Sequence, residues 1–334
     1  MPRCFFCGNE SDKLSSEHVF PAALGGKLEL ESASCTGCNN GLSKSFEQAI
    51  ASRLKDFRYI FQIPDRYGKV PELFAKADVD GKQLDAKLLR DGKVQLKPEY
   101  TITVRDGMKD IIHHHVTQRQ REKLLQEARE KGLELIEEST PGAEAEVSIS
   151  GMLDFINEPE MLRVVAKIAY TALALHVGTD FALRDQFMDV RTYVRSGDGA
   201  PRATLFVNAE YVSACYQGPH MHSIVLVGRK DKRRVDAIVR LFGGLSYLVN
   251  LADNYEGADF YKTLVYDAQK GEERKTIVLN EQSEFLQVEH VTTSKDTVWN
   301  DRVKAGEFFL KFLDEAIQAN LKAQQADEQK GKSG

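Results

Sequence analysis

The sequence predicts an α+β protein with a small cysteine-paired domain at the N-terminus and a larger mixed α+β domain after it. Three observations carry this. Two C-x-x-C pairs fall within the first 38 residues, helical apolar spacing follows them directly, and the second half alternates one long apolar helix with short strand-like runs. With 334 residues, 42% of them apolar, the chain can bury a real core and has room for two domains.

The expected divisions are 1–60, a first domain holding both pairs; 61–145, a β-rich linker or insert with one helix; 146–323, an α+β domain for target recognition, sensing or oligomerisation; and 324–334, a polar tail. In the first, Phe46, Ile50, Leu54 and Phe57 recur at three and four residues, and Ser45-x-x-Gln48 is a weak capping box. In the second, Gly68, Gly81, Gly92 and Gly107 punctuate short runs such as Tyr100–Val104. A polar helix is expected over Gln118–Lys131, stopping at Gly132, and the boundary lies in Glu137–Glu146 around Pro141-Gly142. In the third, Glu158-Pro159-Glu160 opens a helix with Leu162, Val165, Ala166, Ala169, Leu173 and Val177 inward. Strands are expected at Ala203–Val207, Ser223–Val227, Ser246–Leu251, Thr263–Tyr266 and Lys275–Leu279, and a last helix at Arg302–Ala323.

Several classes are excluded. The start runs straight into a cysteine pair without an apolar h-region, so no signal peptide is expected. The longest apolar stretch, Val164–Val177, is interrupted by Lys167 and reads as a buried helix rather than a membrane span. A cytoplasmic protein follows. No Walker loop, dinucleotide fingerprint or nucleophile elbow occurs. The net charge of −5 neither supports nor excludes a nucleic-acid partner, since only the contacting face must neutralise phosphates. His113-His114-His115 cannot all face one side of a strand and reads as a surface segment; His220 and His222 read as core or surface, and Cys215 as a small buried residue.

Cys4-x-x-Cys7 and Cys35-x-x-Cys38 make a four-thiolate set of the kind that zinc takes tetrahedrally. Four thiolates leave no open coordination position, so the zinc is structural and helps to fold a segment too small to bury its own core. Between the pairs lies Ser16-Glu17-His18-Val19-Phe20-Pro21, then Gly25-Gly26; after them comes Cys38-Asn39-Asn40-Gly41. Glu289-His290-Val291 repeats Glu-His-Val without cysteines, so the tripeptide means something only inside its frame.

In that frame the segment resembles the zinc-knuckle branch of the HNH, or ββα-metal, endonucleases. The resemblance covers about residues 4 to 47 and implies a zinc-stapled ββα-metal fold that hydrolyses phosphodiesters, most commonly in DNA, with DNA favoured over RNA. By the same resemblance His18 is the general base, Glu17 and Asn39 (or Asn40) are ligands of a catalytic divalent metal, and Gly25-Gly26 is the hairpin turn. A carboxylate and an amide oxygen are hard donors, favouring Mg2+ or Mn2+. Glu17 and His18, adjacent in a strand, need a local distortion to converge on one phosphate. Relatives carry an Asn in the second hairpin strand that fixes the histidine's loop. Here Leu28 to Ser34 holds none, which leaves backbone groups or Ser32 for that job and makes a catalytically inactive zinc-knuckle nucleic-acid-binding module the alternative. Arg53, Lys55, Arg58 and Arg66, and the run Arg229-Lys230-Asp231-Lys232-Arg233-Arg234, are the candidate phosphate contacts. The C-terminal domain is expected to select target, partner or signal, or to form a homo-oligomer. Removing it is expected to leave a folded zinc domain. Enzymes of this kind occur in prokaryotic and phage restriction and defence.

Overall fold

A computed structural model describes residues 1–65, 67–79, 82–88, 94–96, 99–105, 108–114, 122, 126–127, 129–130, 134–137, 146–148, 158–206, 218, 220 and 221–274. Arg66, His115, Pro141-Gly142, Cys215, the expected strand Lys275–Leu279, Glu289-His290-Val291, the expected helix Arg302–Ala323 and the tail 324–334 lie outside these. Of the expected polar helix, Glu122, Gln126, Glu127, Arg129 and Glu130 are described, and all are helical.

The chain forms two compact units. One joins Met1–Pro71 to Met152–Gly334; the other is Glu72–Gly151. Helices and strands are mixed, as the α+β class requires. The second unit holds β3 (Leu73–Val79), β4 (Lys82–Leu88), β5 (Val94–Leu96), β6 (Glu99–Arg105), β7 (Met108–His114), β8 (Glu134–Glu137) and β9 (Glu146–Ser148). They build a four-stranded sheet, β5-β4-β3-β9, and a three-stranded one, β6-β7-β8.

The first unit opens with a hairpin, β1 (Leu14–His18) and β2 (Glu29–Cys35), joined through a short 3-10 turn at Ala22–Leu24. A helical stretch follows: α1 (Thr36–Leu42), a π turn at Ser43–Glu47, α2 (Gln48–Arg53) and α3 (Lys55–Ile60). The sequence places the helix start near Ser45, yet it begins nine residues earlier, at Thr36, directly on the second cysteine pair. Leu42, Phe46, Ile50, Leu54, Phe57 and Ile60 are its buried stripe.

After residue 158 come α4 (Pro159–Val177), α5 (Thr179–Ala182), a 3-10 turn at Asp185–Phe187 and α6 (Met188–Ser196). Then come β10 (Ala203–Phe206), β11 (Met221–Arg229), β12 (Arg234–Leu241), β13 (Leu245–Ala252), β14 (Phe260–Asp267) and β15 (Glu272–Glu273). These strands form one sheet in the order β10-β13-β12-β11-β14-β15, with antiparallel neighbours throughout. α4 packs on β10 to β13. β12 is absent from the expected strands because charges interrupt its apolar run; Asp236 and Arg240 are nevertheless buried in it.

The N-terminal segment and the sheet share one core. Phe5 stacks on Tyr170 with ring centroids 5.2 Å apart, Phe20 on Tyr266 at 5.3 Å, and Phe57 on Phe242 at 5.4 Å. This changes the expectation for a truncated chain. A fragment ending at Pro71 would expose Phe5, Phe6, Phe20, Phe46 and Phe57, which are fully buried here. At ordinary burial energies they represent roughly 10 kcal/mol, as much as the whole stability of a typical domain. The zinc-loaded fragment 1–71 is therefore expected to lack cooperative thermal unfolding and amide dispersion in NMR. A well-dispersed spectrum would show that the zinc segment folds alone.

Candidate zinc centre and nuclease site

The first knuckle is a tight turn. The Cys4 N–H donates to Asn9 O at 2.9 Å and the Gly8 N–H to Cys4 O at 2.7 Å, with Gly8 at φ 76°. Phe5 and Phe6 between the cysteines are buried, and the Tyr170 hydroxyl reaches Phe5 O at 3.1 Å, which seats the knuckle against α4. Cys35 closes β2 and serves as N-cap of α1, and Cys38 lies in that helix's first turn. Strand end and helix start thus supply the second pair.

The four sulfurs lie within 4.8 Å of one another, and Cys7 Sγ is 4.0 Å from Cys35 Sγ. A tetrahedral zinc with bonds of about 2.3 Å spaces its sulfurs about 3.8 Å apart, so the cluster fits zinc with little adjustment. The Cys35 N–H donates to Cys4 Sγ at 3.3 Å, the kind of bond that stabilises a thiolate. The hydrogen bond from Cys38 pulls the Cys4 thiol down to about 4, and the same contact pushes Cys38 up. Four crowded sulfurs resist joint ionisation; a cation at their centre removes that resistance.

The hairpin carries the remaining motif. Ser15 pairs with Ser34 and Glu17 with Leu30, so two steps on β1 span four on β2, and Ser32 takes φ 49° in the bulge. The expected distortion is therefore present. Even so, Glu17 and His18 point to opposite faces, as adjacent strand residues do. Glu17 is 5% exposed and ion-pairs with Lys167 of α4, whose ammonium also contacts Glu47. Burial raises the Glu17 pKa against the pull of Lys167. Burial also opposes the Lys167 charge, but Glu17 and Glu47 outweigh it and the net direction is up.

His18 faces the other way. Its Nε2 lies 3.5 Å from Glu29 Oε1, with both side chains about two-fifths exposed. Its Nδ1 is buried without a partner among the described residues. Asn39 Nδ2 donates to Ser15 Oγ at 3.2 Å. Ser15 and Glu17 share a strand face, so Asn39 is on the Glu17 side of the hairpin. Asn40 is exposed. Glu17 Oε1 is engaged by Lys167, while its Oε2 is buried and without a partner. The orphaned oxygen and the Asn39 amide are hard donors of the kind Mg2+ or Mn2+ takes.

The Gly-Gly pair has a steric origin. Gly25 caps the 3-10 turn at φ 79°, and a Cβ there would lie 2.8 Å from Ala268 O. At Gly26 a Cβ would lie 1.7 Å from Phe20 O.

The basic candidates are mostly matched by acids. Arg53 Nη1 bonds Glu158 at 2.7 Å, and Lys55 is half-buried. Arg58 is half-buried, with Nε and Nη2 unpartnered among the described residues and its pKa lowered by burial. In the β11–β12 turn, Arg229 is buried and Arg234 bonds the buried Asp236 at 2.9 Å. Lys230 and Arg233 are exposed; Arg233 lies 3.6 Å from Glu256, and the Lys230 N–H donates to Asp259.

Glu47 escapes the sequence reading. Lys167 appears there only as the charge inside an apolar helix, Tyr266 only as the end of an expected strand, and His222 as a core or surface histidine. His222 is fully buried between Leu24 O, at 2.9 Å from Nε2, and the Phe242 N–H, at 3.1 Å from Nδ1. Burial lowers its pKa to about 4. The unfolded chain, near 6.5, then binds a proton more readily than the folded one. Its contribution is intact above about pH 6.5 and is lost as pH falls toward 4, a loss of roughly 3 kcal/mol. His222→Gln is expected to flatten urea stability over that window; an unchanged acid slope would reject the assignment.

The first 60 residues are thus a hairpin framed by a four-cysteine cluster and followed by a helix. Residues 4–55 match the family model for HNH endonucleases. The match implies nuclease action on nucleic acid. No curated protein and no solved structure matches the chain. Among the described residues no helix is long and apolar enough to cross a membrane.

Proposed function

We propose that the protein is a metal-dependent endonuclease, acting on DNA in preference to RNA, with the cysteine cluster as structural zinc. The observation that carries this is the buried, unpartnered Oε2 of Glu17 on the same hairpin face as Asn39, inside the segment matched to HNH endonucleases. Glu17 and Asn39 would hold Mg2+ or Mn2+, which when bound supplies charge neutralisation at the scissile phosphate. His18, across the strand from Glu17, would take the proton of the attacking water at Nε2 once bound phosphate draws the two side chains together, and Glu29 would steady the imidazolium that forms. Arg53, Lys55, Arg58, Lys230 and Arg233 would contact backbone phosphate.

Glu17→Ala and Asn39→Ala are expected to raise the Mn2+ concentration needed for half-maximal plasmid cleavage by about tenfold or more, since each removes a ligand. Unchanged metal dependence in both variants would remove them from the site. Parallel single-stranded and duplex RNA substrates test the DNA preference.

A second reading has its own support. Glu17 turns toward Lys167 and away from His18, which suits a zinc-knuckle module that binds nucleic acid without cutting it. Tight DNA binding with no cleavage in any divalent metal would establish it.

A further inference from the structure

The loop that follows His18 is fixed from outside the matched segment. It runs from Val19 to Leu28 and closes on itself, the Val19 N–H donating to Leu28 O at 2.9 Å. Its middle is bonded to the six-stranded sheet. The Tyr266 hydroxyl, on β14, donates to Gly25 O at 3.1 Å and accepts the Lys27 N–H at 2.7 Å. Tyr266 is fully buried. On the neighbouring β11, His222 Nδ1 accepts the Phe242 N–H, which places the ring proton on Nε2, facing Leu24 O. The Phe20 ring lies against both, 5.3 Å from Tyr266 and 5.1 Å from His222.

We infer that Tyr266 is a positioning residue for His18, holding the loop that sets the β1–β2 register at His18 and Glu29. This rests on the reading of His18 as the general base. One hydroxyl engages a carbonyl and an N–H two residues apart, so it fixes both position and direction of the chain at the turn. His18 and Glu29 flank the loop as a paired couple, so a shift in the turn reaches the histidine directly. A clamp drawn from the sheet also makes the nuclease hairpin dependent on the second half of the chain.

The test is Tyr266→Phe in the full-length protein, beside His18→Ala. The ring and its packing stay; the hydroxyl goes, and Gly25 O and the Lys27 N–H lose their partner. Zinc content is expected to stay at the native level. Hydrogen exchange at Lys27 should quicken about tenfold, the factor of one ordinary hydrogen bond. The His18 ring resonances should shift, and kcat should fall about ten- to a hundredfold with KM little changed, as for a displaced catalytic group. A role in stability alone would lower the melting temperature and leave kcat and the His18 resonances at native values well below it; that result overturns the inference. Phe20→Leu, which loosens the same loop without touching a hydrogen bond, should give a smaller change of the same kind if Tyr266→Phe fails to fold; native kcat and resonances there would also overturn it. Should His18→Ala cut like the native protein, the general-base reading itself falls. Should His18→Ala be inert while Tyr266→Phe keeps native kcat, only the positioning role falls.

Discussion

His18→Ala is expected to lower the cleavage rate by about a hundred- to ten-thousandfold, the usual cost of removing a general base. Zinc content, melting temperature and DNA affinity should change little. His18 lies outside the four-sulfur cluster, its side chain is about two-fifths exposed, and among the described residues it ion-pairs with the equally exposed Glu29. An exposed pair of this kind contributes little to stability. Loss of rate without loss of fold is therefore the signature to look for. Glu29→Gln, which keeps the shape and removes the charge beside Nε2, should cost less than His18→Ala, because water can also solvate the imidazolium. Equal rates for His18→Ala and native protein, with matched zinc content, would end the mechanism. A rate loss matched by loss of DNA binding would move His18 from chemistry to recognition.

How much of the site was legible in the sequence follows from how far apart its partners stand. The cysteine pairs, Glu17-His18 and Gly25-Gly26 were legible because short spacings encode local geometry: a knuckle, a strand end, a turn at positive φ. Strand alternation called for a distortion to bring Glu17 and His18 together; the bulge at Ser32 is present, yet the two side chains still face opposite ways. What grips those local pieces was not legible. Lys167 meets Glu47 across 120 residues, and Tyr266 meets Lys27 across 239. No periodicity or spacing rule connects such positions; only the packing of α4 and the sheet against the hairpin does.

The basic run was legible in place but not in its partners. Arg229 to Arg234 reads as a loop that either grips phosphate or is a solvated turn, because a linear run of charge hides the acids that face it. In the folded chain the run is the turn of a hairpin whose ends are paired, Arg229 opposite Arg234. Asp236, Glu256 and Asp259 come in from the same strand and from the segment after β13. Asp236 and Arg240 are buried for the same reason that β12 was missed: charges that find partners in a sheet interior erase the apolar pattern by which a strand is recognised.

Lys167→Met is expected to destabilise the protein by about 3–5 kcal/mol, the range for removing one partner of a buried ion pair. The ammonium is 2% exposed and serves Glu17, at 6%, and Glu47, at 20%. Methionine fills much the same volume, so the cost comes from the stranded carboxylates rather than from a cavity. The double variant Lys167→Met with Glu17→Gln should recover most of that loss, because no uncompensated charge then remains beside the deepest position. Urea midpoints of the two single variants and the double close the cycle. Cleavage separates two meanings of the pair. If Lys167 and Glu17 serve stability alone, the double variant regains activity together with stability. If Glu17 offers its free Oε2 to the catalytic metal, the double variant is stable but keeps the raised Mn2+ requirement of a lost ligand, about tenfold or more. A single Lys167→Met as stable as the native protein would show that Lys167 makes no stabilising buried pair.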